Sequence, residues 1–238
     1  MHRIARKIGG VICLSCLVSG CSGLMGDKAL RERSKNNIME LSLAMHKYNQ
    51  DQGYLPQNIS SKDGKPLLSW RVALLPLLEH ESVYKQFKLD EPWDSPHNQT
   101  LLNSMPSVYL PKGIKTPDPG LTYYQVFVSR PGTNPRAIFS PEDKWSLNQI
   151  NLKDGTANTL LLVEAGNPVP WTKPADLEYA PEGPLPNLGG FSKVWFIGAY
   201  ADGVVKVHRK DAPENLIRQV ITVDGAEKND LSPLYDVK

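Results

Sequence analysis

The clearest periodic pattern along the chain lies between residues 27 and 52. Apolar residues recur there at three- and four-residue spacing, which is typical of one buried helix face: Ile38, Leu41, Met45 and Tyr48. We therefore predict one helix from Asp27 to Gln52, with Gly53 as its stop signal. Its first half is polar nearly all round, so residues 21–35 are expected to form a spacer ahead of the head, with a flexible tether as the alternative.

Three further segments show helical patterns. Residues 67–78 form an apolar helical segment that Pro76 interrupts or kinks. Ser95 and Pro96 resemble an N-cap followed by proline at the first helical position, which predicts a helix to about residue 103. Asp211 is expected to cap a last helix that carries four apolar residues, Leu216, Ile217, Val220 and Ile221.

The second half of the chain changes to strand patterns. Strands are predicted at residues 123–128, 160–164, 194–200 and 204–207, and Asp202-Gly203 marks a hairpin between the last two. Helices followed by antiparallel strands indicate the α+β class. The 20 prolines all follow residue 55, so long loops are expected between these elements.

The first twenty residues read as a secretion signal. A basic start is followed by thirteen uncharged residues, 8–20, which span about 20 Å as a helix and fall short of the ~30 Å hydrocarbon core. The stretch ends in Leu-Val-Ser-Gly-Cys, which resembles the bacterial lipobox and implies cleavage before Cys21 and acylation of its thiol and new amine. The alternative is an ordinary signal peptide with an incidental cysteine.

Removal of the signal changes the charge and thiol content. The chain holds 27 basic and 25 acidic residues, and three of the basic ones lie in residues 1–20, which leaves 24 against 25. A nearly neutral mature chain argues against a surface that follows nucleic-acid phosphates. Cys13 and Cys16 leave with the signal and Cys21 is acylated, so no disulfide or thiolate metal site is expected.

Several segments in order resemble a known family, the large planctomycete paralogue family called domain of unknown function 1559. The segments lie at residues 36–48, 63–76, 92–98, 154–164, 169–174 and 201–203. The resemblance covers about residues 35 to 228, and we treat residues 36–238 as one domain. It implies a pilin-like or pseudopilin-like α+β head, with an N-terminal helix laid on an antiparallel sheet and with short extra helices.

The chain departs from that family pattern in two ways. Many members begin with a prepilin-like leader and a long apolar helix, whereas this chain has the lipobox and a polar segment at residues 27–37. Members also often carry a histidine ten residues before the Asp of the C-terminal Asp-Gly, and Ser192 stands there in this chain. No role of that histidine is carried over.

Candidate chemistry is sparse. Four histidines follow the signal sequence: His46, His80, His97 and His208. Their spacing does not match that of metal ligands, and His46 is expected to be structural. Asp154 and Asp202 are expected to shape Asp-Gly turns, with a calcium site as the less favoured alternative. We predict no catalytic residue, no metal site and no cofactor.

The possible ligand-binding residues are Trp93, Trp171 and Glu164. The two tryptophans lie in proline-rich loops. Trp171 forms either an exposed binding edge or an aromatic plug over the core, and we favour the plug. Glu164 ends an apolar strand, so it is expected to pair with Lys or Arg or to lie at the rim of a cleft.

These features predict a non-enzymatic protein that is lipid-anchored in the cell envelope through Cys21, with a structural, adhesive or interaction role. Its expected partners are membrane lipid and other envelope proteins, at the periplasmic face or the outer membrane. The alternative is an envelope ligand-binding lipoprotein. A hydrolase, with Ser or Asp beside His80, His97 or His208, is the third hypothesis.

Overall fold

A computed structural model describes residues 19–141, 143–225 and 229–235, with side chains from residue 26 onward. Residues 1–18 of the signal expected over residues 1–20 lie outside the described residues. The side chain of Cys21 also lies outside them. Within the described part of the chain, no helix has both the length and the apolar character needed to cross a membrane.

The longest element is helix α1, Ser19–Gln52, which begins before the predicted start and ends where predicted. Its apolar stripe is buried as expected, and Ile38 and Leu41 are fully enclosed. The helix ends where Gly53 adopts a left-handed φ of 83° and donates its N–H to the carbonyl of Asn49 at 2.8 Å. A side chain at residue 53 would strain this turn, so glycine is the favoured residue there.

The segment predicted as a spacer, residues 21–35, is helical, and its second half lies against the head. Asp27 accepts a hydrogen bond from the indole N–H of Trp195 at 3.2 Å, and Ser34 is fully buried. The polar pattern of this segment predicted exposure to solvent. A local pattern cannot show that the hydrogen-bond partners of these polar groups lie on the head. The domain boundary predicted at residue 36 falls inside α1.

The segment after α1 forms a hairpin and short helical turns. Strands β1 (Ile59–Ser60) and β2 (Pro66–Leu68) pair antiparallel. They are followed by α2 (Trp70–Ala73), a 3-10 turn at Leu75–Leu78 and α3 (Glu81–Tyr84). The helical segment predicted for residues 67–78, broken or kinked at Pro76, is therefore wrong at its start. Its first residues pair as a strand, and the Ser69 hydroxyl then accepts the N–H of Arg71 to begin α2.

The strands of the second half are β3 Leu121–Gln125, β4 Phe127–Ser129, β5 Leu160–Pro170, β6 Leu177–Tyr179, β7 Trp195–Tyr200 and β8 Val205–Arg209. The centre of the head is an antiparallel sheet of four of these strands, in the spatial order β3, β5, β7, β8. The strands β4 and β6 form a separate two-stranded pair that is parallel, which departs from the antiparallel pairing that was predicted.

The sheet is covered on both faces. On one face, the stripe of α1 packs with Leu162 and Ile197 in the larger apolar cluster. On the other, Leu160 and Phe196 pack against the C-terminal helix α5, Glu214–Ile221, which follows the short helix α4 at Leu147–Asn151. The alternation of side chains along β5 and β7 supplies both clusters. The class is α+β, with a long N-terminal helix on an antiparallel sheet and short extra helices, as predicted.

Two predicted helix starts differ from the structure. The four apolar residues of α5 are buried as expected, but Pro213 stands at its N-cap, and Asp211 instead pairs with Arg209 at 2.8 Å. The segment after Ser95 and Pro96 forms a 3-10 helix at Asn98–Ser104. In both places a prolyl ring fixes the local backbone close to the position where the cap was expected.

The edge strand β8 is partly covered by the C-terminal segment. A 3-10 turn at Ser232–Leu234 contacts β8, and Leu234 is fully buried. The Lys206 ammonium group lies 4.4 Å from the ring centres of both Tyr200 and Tyr235. This arrangement places a cation and two aromatic rings beside the outer strand.

Two leucines on α1 test the packing of helix on sheet. We expect Leu41→Ala to lower the free energy of unfolding by about 2–5 kcal/mol, because Leu41 is fully buried and truncation leaves a cavity. Leu43→Ala is the matched control, since Leu43 is 64% exposed and its loss should change stability by at most about 0.5 kcal/mol. Urea denaturation followed by tryptophan fluorescence measures both, and equal effects would contradict the described face of α1.

Candidate functional site

Trp171 lies in the core as the plug that the sequence favoured. Its ring stacks on Tyr109, with centroids 5.8 Å apart, and meets the edge of Phe87 at 5.7 Å. The indole N–H donates to the carbonyl of Leu102 at 3.1 Å, so the polar atom is also satisfied. A fully buried ring of this kind fixes loops and offers no face to a ligand.

Trp93 is half-buried at the surface of the same cluster. Its backbone N–H donates to the carbonyl of Leu67 at 2.9 Å, and the Lys173 ammonium group lies 5.3 Å from its ring. The ring thus contacts apolar side chains and lies beside an intramolecular cation.

Glu164 is fully buried in the middle of the sheet, away from a rim. Its carboxyl accepts hydrogen bonds from the Ser34 hydroxyl on α1 and from the backbone N–H of Ile197 on β7, the latter at 3.1 Å. Burial raises its pKa to about 8, although these hydrogen bonds and the charge of Lys210 oppose the rise. The partners expected from the sequence, a Lys or Arg at contact distance, are replaced by hydroxyl and amide donors.

The three predicted residues lie apart from the cavity that the structure shows. None of Trp93, Trp171 and Glu164 lines this cavity, which has a volume of about 760 Å³. It lies between the C-terminal end of α1, the β1–β2 hairpin, α3 and the segment around residue 141. Five aromatic residues contribute to its walls: Tyr48, Tyr54, Trp70, Tyr84 and Phe139. Its volume is in the range of small-molecule sites.

One wall of the cavity contains a buried ion pair. Arg71 donates from Nη2 to Oδ1 of Asp176 at 2.7 Å, and the two side chains are 0% and 2% exposed. The other two guanidinium nitrogens also donate: Nε to the Tyr124 carbonyl at 2.9 Å, and Nη1 to the Ser69 hydroxyl at 2.7 Å. Such hydrogen bonds offset the cost of taking the cation out of water.

The carboxylate of Asp176 is satisfied on one oxygen only. Its Oδ1 accepts hydrogen bonds from Arg71, from the indole N–H of Trp70 at 3.2 Å and from the backbone N–H of Val126 at 3.1 Å. Its Oδ2 is buried and has no partner among the described residues. Burial raises the pKa of Asp176, and the charge of Arg71 opposes this rise. Buried carboxylate oxygens are normally hydrogen-bonded, so this oxygen marks a place for a donor.

Two tyrosines form an aromatic corner of the cavity. The rings of Tyr48 and Tyr54 meet at 71° with centroids 6.0 Å apart, and the Lys144 ammonium group lies 4.7 Å from the Tyr54 ring. Burial, with a further contribution from Tyr54, raises the pKa of Tyr48 to about 12. Its hydroxyl therefore remains protonated, as both a donor and an acceptor, at neutral pH.

Hydrogen bonds to backbone carbonyls hold the rings of His46 and His97. His46 faces the carbonyls of Ser42 and Ala201 at 2.8 and 3.1 Å, as expected of a structural residue. Nε2 of His97 lies 2.7 Å from the Gln86 carbonyl. His80 is half-buried at the start of α3.

His208 is buried beside Phe196 and Tyr200, on the face of the sheet that α5 covers. Its Nε2 is 2.9 Å from the Tyr200 hydroxyl, its ring stacks on Phe196 at 4.6 Å, and burial lowers its pKa to about 3. The imidazole is therefore neutral at ordinary pH. The described hydrogen bonds of His97 and His208 go to a carbonyl and to a tyrosine hydroxyl.

The two Asp-Gly pairs shape turns, as expected. Gly155 and Gly203 have φ values of 91° and 86°, a region that favours glycine. Asp202 accepts the backbone N–H of Val204 at 2.9 Å, and Asp154 accepts that of Gly225 at 2.8 Å. Across the described ranges, no group of three or more His, Cys, Asp or Glu side chains is arranged to hold a metal ion.

The chain matches a family model over residues 28–219, and that model is described as a protein of unknown function, DUF1559. The chain therefore belongs to the DUF1559 family, as its motifs indicated. No curated protein and no solved structure matches it.

The sequence contained one signal of the cavity that the motifs did not reveal. Arg71 interrupts the apolar run of residues 67–78, and a cation at such a position requires a buried anion nearby. The anion is Asp176, which lies 105 positions further along the chain. No local pattern around Asp176 identifies it as the partner.

Glu164→Gln tests the buried carboxyl. Unfolded Glu164 ionises near its ordinary pKa of 4.5, whereas folded Glu164 keeps its proton to about 8. The carboxyl therefore makes the wild type lose stability as pH rises between these values, by up to about 1.4 kcal/mol per pH unit, and glutamine cannot ionise.

We expect the stability of the wild type, measured relative to the glutamine variant, to fall from pH 5 to pH 8. Urea denaturation of both proteins at each pH measures this difference, and the contributions of Asp176 and His208, which are common to both, cancel. Parallel curves for the two proteins would contradict the raised pKa of Glu164.

Proposed function

We propose that this protein is a non-enzymatic, lipid-anchored protein of the cell envelope whose head binds a small ligand in the cavity beside Asp176. The observation that carries this proposal is the cavity itself, about 760 Å³ in volume, with Asp176 in its lining, whose buried Oδ2 has no hydrogen-bond partner among the described residues. A folded protein maintains such an oxygen at a cost in stability, and a bound donor offsets it.

The anchor in this proposal rests on the sequence. The basic start, the thirteen uncharged residues and the small residues before Cys21 form the pattern of a lipoprotein signal. Acylation of Cys21 would hold the mature chain on a membrane of the envelope, at its periplasmic face or in the outer membrane.

The geometry of α1 supports a division of roles between its ends. About 46 Å of helix separate Cys21 from Gln52, at 1.5 Å per residue. Gln52 and Tyr48 line the cavity, while Asp27, one turn and a half after Cys21, contacts Trp195. The lipid would therefore lie at one end of the helix and the cavity at the other, where a ligand arrives without passing the bilayer.

Contact with other envelope proteins is the second candidate role. Met39 and Leu43 lie one turn apart on α1 and are 46% and 64% exposed. They lie on the side of α1 that faces solvent, where a contact with another envelope protein would cover them.

Metabolic labelling with an azido-palmitate analogue tests the anchor. We expect the wild type to be labelled and to remain in the membrane fraction, and Cys21→Ala to be unlabelled, because the acyl chain needs the thiol. Leu43→Ala is the control that keeps both properties. Equal labelling of wild type and Cys21→Ala would contradict lipidation at this residue.

Partial filling of the cavity tests ligand binding. Ser60 is exposed and lines the cavity, so Ser60→Trp should exclude the small molecule that the wild type retains when purified from its own envelope in detergent. Native mass spectrometry measures the bound mass. Ser104→Trp is the matched control, an exposed serine away from the cavity. Equal occupancy of the two variants would contradict binding in this cavity.

A further inference from the structure

The walls of the cavity combine aromatic rings, amides and one incompletely bonded carboxylate. We infer that the ligand is a neutral carbohydrate chain, an inference that rests on the proposed binding function. Such a ligand presents many hydroxyl donors and carries an apolar C–H face on each ring.

The first argument is that Asp176 needs a further hydrogen-bond donor. Three N–H groups already converge on its Oδ1, whereas no group in the described part of the chain donates to Oδ2. A bound anion would place a second negative charge beside this oxygen and would be repelled. A hydroxyl group can donate to Oδ2 and still accept from a neighbouring N–H.

The second step is the charge balance around the cavity. Asp176 is already paired with Arg71, and Asp51, the other lining acid, is paired with Lys47 at 2.7 Å. Lys144 adds a positive charge at the Tyr54 ring. The lining therefore has no excess of negative charge to attract an organic cation, which favours a neutral polar ligand.

The third step is the aromatic corner. Tyr48 and Tyr54 are half-buried and nearly perpendicular, and Tyr84 is a third half-buried ring in the lining. The apolar face of a sugar ring packs on such rings and leaves its hydroxyl groups free at the edge. Tyrosine, unlike phenylalanine, adds a hydroxyl that bonds to those groups.

The fourth argument is that side-chain amides line the cavity and can hydrogen-bond to a ligand. Asn58 lines the cavity, and its Oδ1 accepts the backbone N–H of Trp70 at 2.9 Å, which fixes the side chain and leaves its NH₂ group as a donor. Gln57 adds a second lining amide. A carboxylate that needs donors, beside amides that supply both donors and acceptors, matches the mixed hydrogen bonding of sugar hydroxyls.

Isothermal titration of the full lipoprotein in detergent tests this inference. The probes are four neutral trisaccharides, maltotriose, cellotriose, mannotriose and N,N′,N″-triacetylchitotriose, and two organic cations, spermidine and tetramethylammonium. We expect at least one trisaccharide to bind and neither cation to bind. Tyr54→Ala should weaken that binding at least tenfold, whereas Tyr123→Ala, a half-buried tyrosine outside the cavity, should leave it unchanged.

The variants separate a binding role from a folding role. Asp176→Asn removes the charge that balances Arg71 and can unfold the head, so Tyr54→Ala and Tyr84→Ala carry the test, each with its thermal unfolding recorded. Loss of affinity with an unchanged melting curve supports the inference.

Two results would overturn it, namely no trisaccharide bound at millimolar concentration, or binding that Tyr54→Ala leaves intact. A cation or another small molecule bound with sensitivity to Ser60→Trp would overturn the carbohydrate assignment alone and retain the proposed binding function.

Discussion

The guanidinium group of Arg71 holds together parts of the chain that are far apart in sequence. The guanidinium donates to the Ser69 hydroxyl, to the Tyr124 carbonyl in β3 and to the Asp176 carboxylate. The backbone carbonyl of Arg71 also accepts a hydrogen bond from the Tyr109 hydroxyl at 2.7 Å. A fully buried cation tolerates no missing partner, because an unpaired charge in the interior is far more costly than a broken contact at the surface. The wall of the cavity is fixed for the same reason.

A second polar cluster joins α1 to the sheet. The hydroxyl groups of Ser34 and Tyr124 lie 3.0 Å apart, and Ser34 also donates to Glu164, which reaches β7 through Ile197. Apolar packing alone lets a helix slide or rotate on a sheet with small changes in energy, whereas hydrogen bonds between named groups specify one register. These hydrogen bonds therefore fix both the rotation of α1 about its axis and its position along the sheet.

Periodic signals in the sequence predicted most of the architecture. The stripe of α1, the hairpin at Asp202-Gly203 and the apolar face of α5 were found because each depends on neighbours a few residues apart. The family, too, follows from local motifs. The cavity could not be found in this way, because Arg71 and Asp176 meet only in the folded chain. Glu164 was recognised as unusual, but its hydroxyl and amide partners lie on α1 and β7, and no local pattern points to them.

The C-terminal turn that covers part of β8 affects how neighbouring copies of the protein can meet. An exposed edge strand pairs readily with the same strand of a neighbouring molecule, which is the first step of many aggregates. Here Lys206, held against Tyr200 and Tyr235, places a charge along that edge, and the turn at Ser232–Leu234 blocks part of the approach. Copies packed side by side at this edge would thus meet through side chains, instead of joining their sheets through β8.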